Sequence, residues 1–210
     1  MRKVILVEFI SIDNVIQAPG GPDEDTSDGF KFGGWLAPFF DQALGEALEI
    51  SYGQPYDLLL GKKTYDIFAG YWPKVAAQTE GISETDRKFA LEFDACTKYV
   101  ATHNTDSLKW KNSKSLGLSV TQEVDKLRKE DGKNLLVIGS SKLAHTLLAH
   151  DLVDEMHLMI APIILGKGKR LFDENSRPTS FKLNRSAVST TGMLLMHYLR
   201  DGEVKTGSVA

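Results

Sequence analysis

Leu136-Val137-Ile138-Gly139-Ser140-Ser141-Lys142-Leu143 decides how the rest of the chain is read. An apolar run stops at a glycine, and two small hydroxyl residues lead into a segment with helical spacing. That order describes a buried strand turning into a helix. The same order stands upstream in Leu58-Leu59-Leu60-Gly61-Lys62-Lys63-Thr64-Tyr65. At each junction the free backbone N–H groups and the helix dipole favour an anion. Glycine lets a phosphate approach the backbone closely. Thr64, Ser140 and Ser141 add hydroxyl donors, and Lys62 and Lys63 add charge. Ligands of open α/β sheets bind outside the carboxyl ends of the strands. Two such junctions suit the two phosphates of a dinucleotide; two tight turns with no ligand would use the same glycines. Neither spells G-x-G-x-x-G. Gly61-Lys62-Lys63-Thr64 lacks the upstream glycine of a P-loop.

Working outward, apolar runs predict strands at residues 4–12, 57–60, 98–102, 134–138 and 153–161. Helical spacing covers residues 36–52, 62–69, 83–93, 121–130 and 141–150, with Ser83 and Thr121 as N-caps. Residues 18–34 form a long acidic loop of the kind used as a lid, and Trp72-Pro73 opens another loop. Strands at 180–189 and 193–200 flank Thr191-Gly192 as a hairpin. Strands alternating with helices imply a mainly parallel sheet covered on both faces. The hairpin adds an antiparallel edge. The expected architecture is one three-layer α/β sandwich over residues 1–210.

Composition narrows the classes. With 42% hydrophobic and 25% charged residues the chain has the makings of a packed domain. A net charge of -3 removes the electrostatic case for a nucleic-acid partner. The single cysteine, Cys96, excludes an internal disulfide and any Cys/His zinc pattern, and reads as core packing. Glu8 interrupts the first apolar run, which argues against a signal peptide. The run at residues 156–165 is too short to cross a membrane. A cytoplasmic protein with no membrane partner is expected.

Other candidates are weaker in spelling. Asp23, Asp25 and Asp28 miss the calcium-loop spacing, because Asp28 stands where glycine is required. His145, His150, His157 and His197 form no metal spacing, so no metal is expected. Asp41 falls at the edge of the apolar stripe of the 36–52 helix, where it either faces a pocket as an acid or stabilises the helix dipole. Asp13 ends the first strand as a turn residue or a site residue. Trp35, Tyr71, Trp72 and Phe172 suit either an apolar slot for a planar ring or plain core.

These elements, in this order, resemble the dihydrofolate reductase-like superfamily, and most closely its branch related to the reductase domain of bifunctional riboflavin-biosynthesis proteins. The resemblance spans nearly the whole chain. It rests on Ser11-Ile12-Asp13-Asn14-Val15-Ile16, on the two junctions, and on the run from Ala161 through Gly166-Lys167-Gly168-Lys169-Arg170 to Phe172. It implies NADPH-dependent hydride transfer, with NADH as the alternative donor, to a small substrate such as a pterin, a folate or a ribosylamino-pyrimidine. The family's Gly-Arg-x-Thr motif touches the cofactor phosphates; here Lys62 replaces the arginine, keeping charge but losing the bidentate fork. By the same resemblance Thr102 and His103 fall at the adenosine 2′-phosphate, and Phe9 and Ile16 flank the nicotinamide. Ile138, Gly139, Ser140, Ser141, Lys142 and Leu143 form the second phosphate junction, with Ser140 where the family has a second glycine. Asp41 is the nearest match to the family's acid. Asp13, Gln17, Trp35, Lys167 and Arg170 are the candidate substrate contacts. A homodimer is the family's expectation. The competing reading is a nucleotide-binding module without catalysis on the same cradle.

Overall fold

Val4–Ser11, strand β1, is buried along nearly its whole length, as a mostly apolar run inside a parallel sheet is. It lies inside an eight-stranded sheet of the computed structural model, which describes residues 1–209. The further strands are β2 (Tyr56–Gly61), β3 (Lys98–Ala101), β4 (Ser113–Ser115), β5 (Asn134–Ile138), β6 (Glu155–Ala161), β7 (Ser180–Val188) and β8 (Leu194–Gly202). The helices are α1 (Gln42–Tyr52), α2 (Lys62–Ala77), α3 (Glu84–Ala95), α4 (Val120–Lys129) and α5 (Ser141–Ala149). The strand order is β4-β3-β2-β5-β1-β6-β8-β7. Strands β1 to β6 pair in parallel; β8 pairs antiparallel with β6 and with β7, the C-terminal hairpin. Because β5 inserts between β1 and β2, the ends of β2 and β5 stand side by side, with Leu58 opposite Leu136.

Alternate residues of β1 feed two cores. Ile5 and Val7 join Leu58, Leu60, Leu136 and, from the helices, Leu44, Leu48 and Phe93. Val4 and Leu6 join Leu59, Leu135 and Val137 with Val124, Leu127, Leu143 and Leu147. The sheet is therefore sandwiched between α1–α3 on one face and α4–α5 on the other, the α/β sandwich expected from the alternation.

Several boundaries differ from expectation for local reasons. The 36–52 helix is a short 3-10 turn, Ala37–Phe39, followed by α1, which begins only after Asp41. Helix α2 runs through Pro73 to Ala77 instead of ending before Trp72. Pro73 forfeits one backbone bond, and the Trp72–Phe93 ring contact at 5.0 Å and the buried Val75 hold the final turns in place. Ser119, not Thr121, precedes α4, and makes no side-chain cap. Ser83 caps α3 as expected, accepting the Asp86 N–H at 3.0 Å. Strand β4, three polar residues at the sheet's edge, has no apolar alternation to announce it.

Candidate active site

The two glycine junctions are physically one structure. Ser140 Oγ accepts the Gly61 N–H at 3.0 Å and donates to the Ile138 carbonyl at 3.1 Å. The Ser140 N–H donates to Thr64 Oγ1 at 3.0 Å. Gly139 and Ser140 both have positive φ, 57° and 62°. Glycine adopts that conformation freely and serine does so at a cost, here offset by the three bonds that fix it. Ser140 thus uses its hydroxyl to lock the junction. Behind it, the N–H groups of Ser141, Lys142 and Leu143 open α5 with no intrahelical acceptor, and those of Lys62, Lys63 and Thr64 open α2 in the same way. All six residues line one cleft of about 1570 Å³. That exceeds the usual volume for a single small ligand, roughly 300–1,000 Å³. Phe9, Ile16, Gln17, Gly61, Ile138 and Gly139 also line it.

Charge around the cleft is arranged by the 18–34 loop. Asp25 receives Lys63 Nζ on one carboxylate oxygen and Lys169 Nζ on the other, each at 2.5 Å. Burial pushes the Asp25 carboxyl up, but the bonds from Lys169, Lys63 and Ser27 outweigh it and hold the group well below the usual carboxylate range. Gln17 ties the same loop down: its Nε2 donates to the Asp25 and Ser27 carbonyls at 3.0 and 3.1 Å, and its Oε1 accepts the Lys169 N–H at 3.0 Å. The segment expected as a solvated acidic lid is instead pinned over the cleft. Lys62 pairs with Asp66 one helical turn on, at 2.6 Å.

The residue missed in the sequence is Glu8. It sits in the middle of β1, is buried, and lines the cleft. Its Oε2 accepts the Gly139 N–H at 3.1 Å, and its Oε1 has no partner. Burial raises its pKa well above the ordinary glutamate value, and the one backbone bond offsets this only in part. Its signal was present: a lone carboxylate in an apolar strand is either paired or functional. The apolar wall opposite consists of Tyr52, Phe68, Tyr71, Trp72 and Phe93, with Phe68 stacked on Phe93 at 5.8 Å. A planar ring fits such a surface.

Other candidates stand elsewhere. Asp41 is the N-cap of α1, accepting the Leu44 N–H at 3.0 Å. Its second oxygen takes the Thr190 hydroxyl and N–H at 2.7 and 2.9 Å. The Thr190 hydroxyl, then the Leu44 N–H, lower its pKa to about 2. It does not line the cleft; it ties α1 to the β7–β8 turn. Asp13 accepts the Ser11 hydroxyl and the Leu165 and Gly166 N–H groups and faces Arg170 at 3.6 Å, a loop clasp outside the cleft. Trp35 is core, its indole donating to the Gln17 carbonyl at 2.8 Å. Lys167 and Arg170 also lie off the cleft; Lys169 between them lines it. Thr102 and the exposed His103 lie past the end of β3 and do not line the cleft, whereas Ala101 and the Ser119–Thr121 start of α4 do. Phe172 packs on the second core, away from the aromatic wall.

An α/β sheet with this order, a C-terminal hairpin and a cleft over the ends of β2 and β5 is the dihydrofolate reductase-like fold. It superimposes on dihydrofolate reductase from Enterococcus faecalis, solved in complex with NADP(H) and RAB-propyl, with a TM-score of 0.56 over 95% of this chain and 96% of that one, at 10% identity. Within that fold the chain belongs to the RibD C-terminal domain family, whose model matches residues 2–195. A putative riboflavin biosynthesis protein from Shewanella sp. PV-4 matches at a TM-score of 0.60 and 18% identity, covering 95% of this chain and 99% of the other. The uncharacterized protein YyaP of Bacillus subtilis (strain 168) is 26% identical over 201 residues, 96% of each chain.

Proposed function

We propose that the protein is an NADPH-dependent reductase acting on a small heterocycle of the pterin, folate or ribosylamino-pyrimidine kind. One observation carries this: a single cleft joins two open helix N-termini to a buried carboxyl with a free oxygen. Family membership supports the same reading. NADPH, when bound, supplies the hydride. The chain's own residues bind, orient and protonate. The N–H groups of Ser141, Lys142 and Leu143, with those of Lys62 to Thr64, suit a pyrophosphate. Thr64 Oγ1 accepts the Ser140 N–H and keeps its own proton to donate. Lys62, in a half-exposed ion pair with Asp66 and 5.8 Å from the Tyr65 ring centroid, is held weakly enough to exchange for a phosphate; its contact with the adenosine 2′-phosphate would favour NADPH over NADH.

Glu8 holds the reacting proton. Its Oε2 is occupied by the Gly139 N–H, so the proton is assigned to Oε1, which has no hydrogen-bond partner in the protein. Donation of that proton, with arrival of a hydride, adds two hydrogens across one double bond of the substrate. Glu8 is left as a carboxylate and recovers its proton from water. The 18–34 loop, held by Asp25 and Gln17, lines the cleft and leaves it open to the water that reprotonates Glu8. The test is NADPH oxidation against a panel of pterins, folates and ribosylamino-pyrimidines. Turnover with one class is expected, and its loss in Glu8→Gln. Saturable binding with no oxidation across the panel would leave a nucleotide-binding module instead.

A further inference from the structure

On β6 and β8, among residues that do not line the cleft, three potential ligands meet from two strands distant in sequence. Glu155 and His157 stand two residues apart on β6, so they share a face. His197 on β8 is the direct cross-strand partner of His157. The two imidazoles lie 4.0 Å apart between ring centres. Glu155 Oε2 is 2.9 Å from His197 Nε2 and 3.6 Å from His157 Nε2, and one ligand atom from each residue falls within 4.8 Å of the others. We propose that Glu155, His157 and His197 form a binding site for a divalent transition-metal ion of the zinc class.

The tautomer of His157 is the strongest reason. Ser51 Oγ, on α1, donates its proton to the Ala47 carbonyl at 2.8 Å. It can therefore only accept from His157 Nδ1, 2.8 Å away. Nδ1 thus carries a hydrogen, and in the neutral ring Nε2 is the lone pair. That nitrogen is buried and has no partner in the protein, an arrangement that is costly unless something binds it. The hydrogen-bonded Nδ1 is also the outer-shell support that metal-ligating histidines use. His197 Nδ1 has Asn184 at 3.3 Å, whose amide can turn its oxygen inward once Nε2 gives up its proton to take the metal. Glu155 is oriented by Lys3, 2.6 Å from its other oxygen. A cavity of about 80 Å³ opens onto both histidines, room for the ion's water ligands, since a water occupies about 30 Å³. Among the charged groups around it, Lys3 and Arg185 oppose a cation and Glu155 and Glu46 favour one. Two imidazoles and one carboxylate select zinc-like ions over calcium or magnesium, which prefer oxygen alone. The ion would clamp β6, β8 and α1 together.

The experiment titrates the full chain with Zn²⁺ by calorimetry and follows the histidine side chains by long-range proton–nitrogen NMR. One Zn²⁺ per chain is expected, with the Nε2 resonances of His157 and His197 shifting together and those of His103, His145 and His150 unmoved. His157→Gln and His197→Gln should each weaken binding more than about 100-fold, and Ser51→Ala about 10-fold. No binding at about 100 µM Zn²⁺, shifts confined to the other histidines, or unchanged affinity in folded His197→Gln overturns the site. The NMR arm uses unmodified protein, so the outcome stands even if a substitution unfolds the chain.

Discussion

The two edges of the parallel sheet treat their buried polar groups in opposite ways. At the edge where the strands begin, charges are matched. Arg2 pairs with Asp57 at 2.5 Å and donates to the Lys133 carbonyl, and Asp57 also accepts the Thr97 N–H at 3.1 Å. Asp154 takes Arg128 at 2.5 Å and the Val4 N–H at 2.8 Å. One Arg128 nitrogen alone is left over. At the edge where the strands end, Glu8 Oε1 is unpaired and two helix N-termini open onto the cleft. Unpaired buried polar atoms are costly, so a fold tolerates them where a ligand completes them. On the function proposed above, the first edge serves stability and the second serves binding.

Substitutions can break that contrast. The largest stability effect is expected at the matched edge: Asp57→Ala strands the Arg2 guanidinium and should cost about 3–5 kcal/mol in urea unfolding, with the activity of the remaining folded protein unchanged. Glu8→Gln should do the reverse. Turnover should fall by about 100-fold or more, the size of a lost general acid, while stability rises. The folded state raises the Glu8 pKa, so it binds a proton that the unfolded chain has released. Wild-type stability therefore falls as pH rises from the unfolded value, about 4.3, toward the folded one. Glu8→Gln removes that slope. The two proteins should melt alike at low pH and diverge, the variant higher, as pH increases.

Smaller effects should separate the loop clasp from the cradle. Asp25→Asn leaves Lys63 and Lys169 facing each other without their shared anion. With both lysines partly exposed the expected cost is about 2 kcal/mol, together with faster proteolysis within residues 18–34. Thr64→Ala removes the acceptor of the Ser140 N–H, one of the three bonds that fix the junction, and should weaken NADPH by about 1–2 kcal/mol with a stability loss of about the same size.

The fold was legible where local chemistry decided it. Apolar runs ending at Gly61 and Gly139 marked the strand ends, and Ser83 marked a helix start. What escaped was long-range. Asp41 looked like a helical acid because nothing nearby in sequence shows that Thr190 binds it. Pro73 looked like a stop, but the Trp72–Phe93 contact outweighs one lost bond. The junction glycines, Thr64 and the two lysines were readable as one strand-end cluster, and all of them line the cleft. That Ser140 is its internal lock, and that Asp25 claims Lys63, depends on pairs 76 and 38 residues apart. Glu8 was visible as an interruption of β1, yet a lone acid carries no spacing pattern. His157 and His197 meet only through the register of β6 and β8.

The contrast between the edges rests on the open one accepting a dinucleotide. Equilibrium titration of the intact chain with NADPH, followed by quenching of tryptophan fluorescence, tests this most directly. Saturable one-to-one binding is expected, with a dissociation constant in the range of about 1–100 µM and weaker binding of NADH. No saturation with either nucleotide up to about 1 mM would contradict it.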